Sequence, residues 1–504
     1  MSAASLGHLL RERAATGGQR PLLRFEGVTT TVAEVEERTN RLANVLRARG
    51  IRRGDRVAVM LPNGAGFPVA WLAVGKLGAV AVPVNVGYRH DDLAHVIEDS
   101  GAALALAGTA EAALALLGTR VGQVGLMDPA DAGPARQAVP GAFDAGAEAA
   151  AAERNLELPG IGQDDLVNLQ YTSGTTGFPK GCMLTHGYWL RLAELAAGLV
   201  GARRGDVDLT AQPFSYMDPQ WNTVLCLQVG IPLVILPRFS ASTFWRSVRE
   251  EGATFLYLLG TMPTYLFRQP EDPQDRAHRV RLVLCSGIVA DLHAAFEQRW
   301  GAPWREAYGM TETGVDLAVP LDDDACVGSG AAGVPVPGKQ VELVDGEIVV
   351  TGSPMMLGYW NDPEATAERI RDGRLYTGDL GRRDERGYIH LVGRRKDMIR
   401  RGGENIAAAE VEAALARHPA VRAAAVVAVP DELRGEEVKA FVQVCSAVPP
   451  QELVEFVGQR LAGFKVPRFV EYVDEFPMTP SERIAKHLLP TGRGDAYDAR
   501  REAG

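Results

Sequence analysis

The sequence predicts an α/β protein in two parts: a large N-terminal region of parallel and mixed sheets with helices, then a small α+β domain. Three observations predict it. The 504 residues exceed a usual single domain, and 46% hydrophobic with 23% charged residues is ordinary for a globular chain. Before residue 300, short apolar runs bounded by turn residues alternate with helical stretches, the pattern of parallel sheet in α/β layers. From Gly333 onward, apolar and polar residues alternate around tight-turn pairs, which signals antiparallel hairpins.

Taken in order, residues 55–61 read as a buried strand ending at Pro62-Asn63-Gly64. A helix through 69–76 and a strand at 79–84 follow, and 233–236, 254–259 and 282–285 are further buried strands. Residues 101–158, rich in alanine and glycine, read as peripheral helices and a surface linker. Segments 339–344 and 346–351 form a hairpin around Asp345-Gly346, and the pattern recurs over 380–392 around Glu385-Arg386-Gly387. This small antiparallel unit precedes the basic cluster Gly393-Arg394-Arg395-Lys396-Asp397. A helix at 407–417, strands at 423–429 and 437–444 and a helix at 451–461 make the last domain, of roughly a hundred residues. Its boundary falls near 394–396.

Charge and cysteine content exclude several functions. Lysine and arginine number 53 against 63 acidic residues, a formal charge of −10, which argues against a nucleic-acid surface. The five cysteines are scattered without a C-x-x-C pair, as expected of reduced cytoplasmic thiols. The first sixteen residues lack the apolar core of a secretory signal. The most apolar stretch, 66–86, contains Lys76, Gly75, Gly78 and Pro83, and reads as a buried helix and strand rather than a membrane span.

One segment concentrates chemistry: Tyr171-Thr172-Ser173-Gly174-Thr175-Thr176-Gly177-Phe178-Pro179-Lys180-Gly181. Glycines admit a ligand close to backbone N–H groups, four hydroxyls add donors, and Lys180 adds positive charge. Such a loop suits a polyphosphate, whose oxygens accept many short hydrogen bonds. It is not a Walker A loop, because Gly181 follows Lys180 and the spacing differs.

That loop resembles the signature of the adenylate-forming superfamily, which includes acyl-CoA synthetases, peptide-synthetase adenylation domains and firefly-type luciferases. Four more segments resemble its motifs in the same order: Tyr308-Gly309-Met310-Thr311-Glu312-Thr313, Tyr376-Thr377-Gly378-Asp379-Leu380, the run from Gly393 through Asp397 to Gly402-Gly403-Glu404-Asn405, and Pro477 to Lys486. Together they cover most of the chain. The resemblance implies an N-terminal AMP-binding domain with an acyl pocket at 1–394 and a mobile C-terminal lid at 395–504. It implies activation of a carboxylic acid with ATP to an acyl-adenylate, releasing pyrophosphate, then transfer of the acyl group to coenzyme A.

The resemblance also assigns residues. Thr172, Ser173, Gly174, Thr175, Thr176, Gly177 and Lys180 fall to the β- and γ-phosphates, Tyr308 with Ala307, Gly287 and Ile288 to adenine, Thr311 to the α-phosphate and Glu312 to Mg²⁺. Asp379, helped by Arg394, falls to the ribose hydroxyls, and Lys396 to the hinge between domain orientations. Gly402, Gly403 and Glu404 fall to coenzyme A, and Tyr216, Met217, Asp218, Trp221, Gly309 and Met310 to the acyl site. Met217 and Trp221 read equally as core, and Asp218 reads first as a capping or turn aspartate before Pro219.

The C-terminal motif departs from the family. Where relatives end S-G-K, this chain has Ser481-Glu482-Arg483, with Lys486 three residues on, about one turn away if the segment is helical. Lys486 is expected to be the working cation and Arg483 the second candidate, an arginine presenting a planar fork in place of a compact ammonium. No carrier domain follows within the 504 residues, so a free-standing, cytoplasmic coenzyme A ligase is expected, monomeric or homodimeric. Other acceptors stay open: a carrier protein, an amine, or activation of an inorganic oxyanion such as nitrite. A third reading is a nucleotide-binding pseudo-enzyme.

Overall fold

The alternation of apolar runs and helices is realised in a computed structural model of the chain. It describes residues 3–88, 90–172, 179–401, 404–431, 434–478 and 484–500, with only the backbone of Lys396 and Asn405. The chain divides into two units. One comprises Met1–Ser329, Gly333–Gln340 and Thr351–Gly373; the other comprises Gly330–Ala332, Val341–Val350 and Arg374–Gly504.

The first unit contains a sheet with the strand order Phe143–Asp144, Gln123–Leu126, Leu104–Ala107, Arg56–Met60, Val80–Pro83, Leu166–Thr172, Lys180–Thr185. All neighbours are parallel except the last pair, a hairpin. The region 101–158 is therefore not a set of peripheral helices and linker alone. It supplies three strands to this sheet, and Leu104–Ala107 is buried along its whole length. A strand covered on both faces shows no alternation, and alanine is a poor strand signal, so the pattern was invisible. The apolar stretch after residue 66 is the fully buried helix Gly66–Lys76 followed by the strand Val80–Pro83. Among the described residues no helix is long and apolar enough to cross a membrane.

A second parallel set in this unit runs Leu233–Ile235, Asp208–Thr210, Phe255–Leu259, Leu282–Ser286, Trp304–Met310, and ends on the antiparallel strand Gly314–Ala318. Its core stacks Trp245, Phe296, Trp300 and Trp304. The carboxyl ends of these strands lead into the segments at 211–221, 287–288 and 311–313. Open α/β sheets bind ligands at that end.

In the second unit, Glu347–Gly352 pairs antiparallel with Arg374–Arg383, which pairs with Ile389–Arg394. The turn before the first of these has φ of 50° at Asp345 and 78° at Gly346, as a two-residue hairpin of this type requires. The remainder is α+β. Met398–Arg401, Gly435–Val444, Val421–Asp431 and Phe469–Tyr472 form a sheet against helices Ala408–Ala416 and Pro450–Gly458, around a core including Val411, Val426, Val438 and Leu453. The five cysteines are all free.

Lys76 and Asp208 are among the ionisable side chains buried deep in the first unit. The Lys76 ammonium meets Glu36 Oε2 at 2.5 Å and Thr39 Oγ1 and Asn40 Oδ1 at 2.7 Å. Asp208, on the second sheet, accepts from Asn222 Nδ2 at 2.7 Å and the Leu209 N–H at 2.8 Å. No cation faces it among these partners, and burial pushes its pKa up to about 7. The fold thus holds a proton that the unfolded chain releases near pH 4, so this stabilisation is complete below that pH and is lost as pH rises through 7. Thermal and denaturant unfolding of Asp208→Asn beside the unsubstituted protein should show the difference in stability moving against the latter by about 2 kcal/mol between pH 5 and 7. A constant difference would mean that Asp208 is ionised in the fold.

Candidate active site

The strands of the glycine-rich hairpin, Leu166–Thr172 and Lys180–Thr185, end in register with Thr172 opposite Lys180. Ser173, Gly174, Thr175, Thr176 and Gly177 lie outside the described residues. Lys180 forms an ion pair with Asp362 at 2.9 Å, and its ammonium lies 5.6 Å from the centre of the Tyr359 ring. Tyr359 turns its hydroxyl the other way, donating to Glu312 Oε1 at 2.7 Å. One tyrosine thus links the loop lysine to the acid assigned to the metal. These residues are 132 positions apart, and no spacing in the sequence joins them.

Glu312 sits in a tight turn. Trp304–Met310 pairs with Gly314–Ala318, and a Cβ on Gly309 would stand 1.8 Å from the Gly314 carbonyl oxygen, so only glycine lets the strands close there. The turn residues 311–313 are held by neighbours: the Tyr188 hydroxyl donates to the Thr311 carbonyl at 2.9 Å, and the Met356 N–H donates to the Glu312 carbonyl at 2.7 Å. Glu312 itself is 8% exposed. Among the described residues no three His, Cys, Asp or Glu side chains gather as a metal site. One buried carboxylate fits Mg²⁺ nonetheless, because that ion takes a few protein oxygens and completes its shell with phosphate and water.

Tyr308, 7% exposed, follows Ala307, whose carbonyl accepts from Ser286 Oγ at 2.5 Å. Gly287 and Ile288 are fixed by a residue absent from the sequence expectations, Glu306. Its two carboxylate oxygens each accept a backbone N–H at 2.7 Å, one from Gly287 and one from Ile288. Burial pushes the Glu306 pKa up to about 8, outweighing those two donors, which pull it down.

The acyl-site candidates connect to the same place. Tyr216 precedes the helix Met217–Val229 and accepts from Asn85 Nδ2 at 3.1 Å. Asp218 lies in the first turn of that helix and accepts from Trp221 Nε1 at 3.3 Å. Trp221 meets Tyr257 edge to face at 5.4 Å, and the Tyr257 hydroxyl is 2.9 Å from Ser286 Oγ. A chain of contacts therefore runs from the helix to the Ala307 carbonyl. Behind it, buried amides tie the helix to the loop strand: Asn168 Nδ2 donates to Gln220 Oε1 at 2.8 Å, Gln220 Nε2 to Gln170 Oε1 at 3.1 Å, and Gln170 Nε2 to the Ser215 carbonyl at 2.5 Å. Gly309 and Met310 end the neighbouring strand.

The second unit carries its own cluster. Asp379 stands opposite Arg394 on adjacent strands, with a 3.0 Å ion pair between Arg394 Nε and Asp379 Oδ1. Glu347, also missed in the sequence, accepts from the Gly378 N–H and pairs with Arg395, both at 2.8 Å. Arg483, Gly402, Gly403 and the Lys396 side chain lie outside the described residues, and Glu404 is exposed. Lys486 is engaged: its ammonium is 2.6 Å from Glu412 Oε1 and 3.9 Å from Asp397 Oδ2. Ile484 and Ala485, the described residues just before it, are not helical. Ile484 bridges to Met478 and the Ala485 N–H donates to the Pro477 carbonyl, so the suggested one-turn spacing does not hold over 484–485.

Comparison with known proteins gives the family. Residues 10–360 match the AMP-binding enzyme family, and residues 410–483 match the AMP-binding enzyme C-terminal domain. The chain belongs to the AMP-binding enzyme family. Feruloyl-CoA synthase from Amycolatopsis is 37% identical over 500 residues, covering 95% of this chain and 97% of that protein. Crotonobetaine/carnitine–CoA ligase from Salmonella paratyphi A is 32% identical over 522 residues, covering 96% and 98%. Among solved structures, ATP-bound MatB from Rhodopseudomonas palustris has a TM-score of 0.86 at 28% identity, covering 97% and 98%. The o-succinylbenzoate CoA synthetase of Bacillus subtilis with its acyl-adenylate has 0.86 at 28%, covering 99% of each chain. The family and the α/β architecture expected from the sequence are both borne out.

Glu306→Gln replaces two acceptor oxygens with one, leaving the Gly287 or Ile288 N–H without its partner. Steady-state kinetics should show the KM for ATP rising about tenfold, the value of a buried N–H left without its acceptor, with the KM for the acid little changed. Equal rises in both would assign Glu306 to general stability instead.

Proposed function

We propose that this protein is an AMP-forming carboxylate–CoA ligase. The carboxylate attacks the α-phosphorus of ATP, giving an acyl-adenylate and pyrophosphate. The thiol of coenzyme A then attacks the acyl carbon, forming the thioester and expelling AMP. A free carboxylate resists thiols because its oxygen is a poor leaving group, and AMP transfer removes that obstacle.

The observation that carries the reading is the Lys180–Tyr359–Glu312 grouping beside the carboxyl ends of the second sheet. Two anions must meet in the first step, so the site has to neutralise and align them. Lys180 is assigned to the phosphates, Thr311 to the α-phosphate and Tyr308 to adenine. Bound at Glu312, Mg²⁺ would supply charge neutralisation at the phosphates. Asp379, steadied by Arg394, is assigned to the ribose. Residues 395–504 act as a lid turning about Lys396, with Gly402, Gly403 and Glu404 on the coenzyme A side. Lys486 is the cation for adenylation, and it must leave Glu412 to serve.

The acid placed first is an aryl carboxylate. The edge-to-face pair of Trp221 and Tyr257 beside Ser286 suits a flat ring, and feruloyl-CoA synthase is among the relatives. The reaction is placed in the cytoplasm, with Mg²⁺ as the metal.

Pyrophosphate release screened over aryl, carnitine-like and medium-chain acids tests the reading, with products separated chromatographically with and without coenzyme A. Aryl acids should release pyrophosphate fastest, and a thioester should appear only with coenzyme A. An adenylate that coenzyme A does not consume would point to another acceptor; ATP binding without pyrophosphate from any acid would reject the ligase. Lys486→Ala should slow adenylation by about a hundredfold and Arg483→Ala by less, while unchanged rates in both would remove the cation from this segment.

A further inference from the structure

The turn that carries Thr311 and Glu312 is backed by a buried ion pair for which the proposed chemistry has no use. The side chains of Lys339 and Asp316 are both wholly inaccessible, and Lys339 Nζ lies 3.3 Å from Asp316 Oδ1. The same ammonium donates to the Thr313 carbonyl at 2.7 Å and to the Pro354 carbonyl. Two of its N–H donors thus meet carbonyls, and its approach to Asp316 Oδ1 is an ion pair without a hydrogen bond. Asp316 Oδ2 in turn accepts from the Thr313 hydroxyl.

Those acceptors lie on the two segments that enclose Glu312. Thr313 is the next residue in the chain. Pro354 stands two residues before Met356, whose N–H donates to the Glu312 carbonyl, and five before Tyr359, whose hydroxyl donates to Glu312 Oε1. Removing two charges from water is costly, and an apolar pair of similar volume often stabilises a fold as well or better. Stability alone therefore does not explain the pair. What it does provide is a fixed relation between the 311–316 turn and the 354–359 segment.

We propose that Lys339 and Asp316 are positioning residues: together they fix the Glu312 carboxylate for Mg²⁺-bound ATP without touching either. The inference rests on the reading of Glu312 given above. Groups that orient a metal-binding carboxylate typically change metal affinity ten- to a hundredfold when lost.

The test uses the full chain. Lys339→Met alone strands a buried carboxylate, so the main variant is Lys339→Met with Asp316→Leu, which removes both charges. Thr313→Val is the second, keeping both charges and deleting only the hydroxyl link from Asp316 to the turn. Calorimetric binding of a non-hydrolysable ATP analogue is measured with and without Mg²⁺, beside the Mg²⁺ dependence of pyrophosphate release. In the double variant the half-saturating Mg²⁺ should rise about tenfold and the metal-dependent gain in analogue affinity should fall by a similar factor. Metal-free analogue binding and the KM for the acid should not move. Thr313→Val should give a shift in the same direction, about threefold. Unaltered Mg²⁺ dependence in a folded variant, either one, overturns the proposal. Glu312→Gln run alongside separates the two levels: if it loses Mg²⁺ dependence while the double variant keeps it, only the positioning role fails. If Glu312→Gln also keeps it, the assignment of Glu312 fails with it.

Discussion

The hydroxyl of Tyr359 is the contact on which the arrangement of the first unit turns. It holds one oxygen of Glu312 while its ring lies beneath the Lys180 ammonium, so a single side chain fixes an acid and a base that the chain keeps far apart. The polar ring edge and the apolar face of tyrosine allow this double use. Its position depends in turn on backbone pairing: the Leu357 N–H donates to the Met183 carbonyl and the Trp360 N–H to the Gly181 carbonyl, stitching this segment along the loop hairpin. The glycine-rich loop and the acidic turn thus share one support.

Most of the surrounding polar groups act on the site by satisfying one another. Asn168, Gln170 and Gln220 are almost fully enclosed, and each amide spends its donors on another element. An enclosed amide without partners is expensive, which gives such a network one preferred arrangement. It determines how the helix after Tyr216 sits against the strand that ends at Thr172. Glu306 and Glu347 do comparable work, each carboxylate spanning a backbone N–H and a second donor. In each case the residue that touches substrate in the proposed reaction is oriented by one that does not.

The sequence made some of this legible and hid the rest for identifiable reasons. The strands at 56–60, 80–83 and 282–286 were readable because apolar runs were cut off by turn residues. The hairpin at Asp345-Gly346 was readable because its turn chemistry is local. Leu104–Ala107 was hidden, since a strand buried on both faces and built of alanine and leucine carries no period. Lys180, Thr311 and Glu312 stood out because their motifs are contiguous. Tyr359, Glu306, Glu347 and Lys339 did not, because each acts through a contact across the fold, and none of them sits in a contiguous motif. Glu306 alone had a local clue, lying two positions before Tyr308.

The distribution of sulfur has a consequence for an enzyme whose acyl acceptor is itself a thiol. Cys182, Cys226 and Cys285 are enclosed, and burial keeps each protonated and unreactive. Cys326 is buried as well, which leaves Cys445 as the exposed one. Mixed disulfides form by attack of a thiolate on an accessible sulfur. A protein that handles a reactive sulfhydryl therefore offers it few places to become trapped, and disulfide exchange is directed to one position in the C-terminal unit.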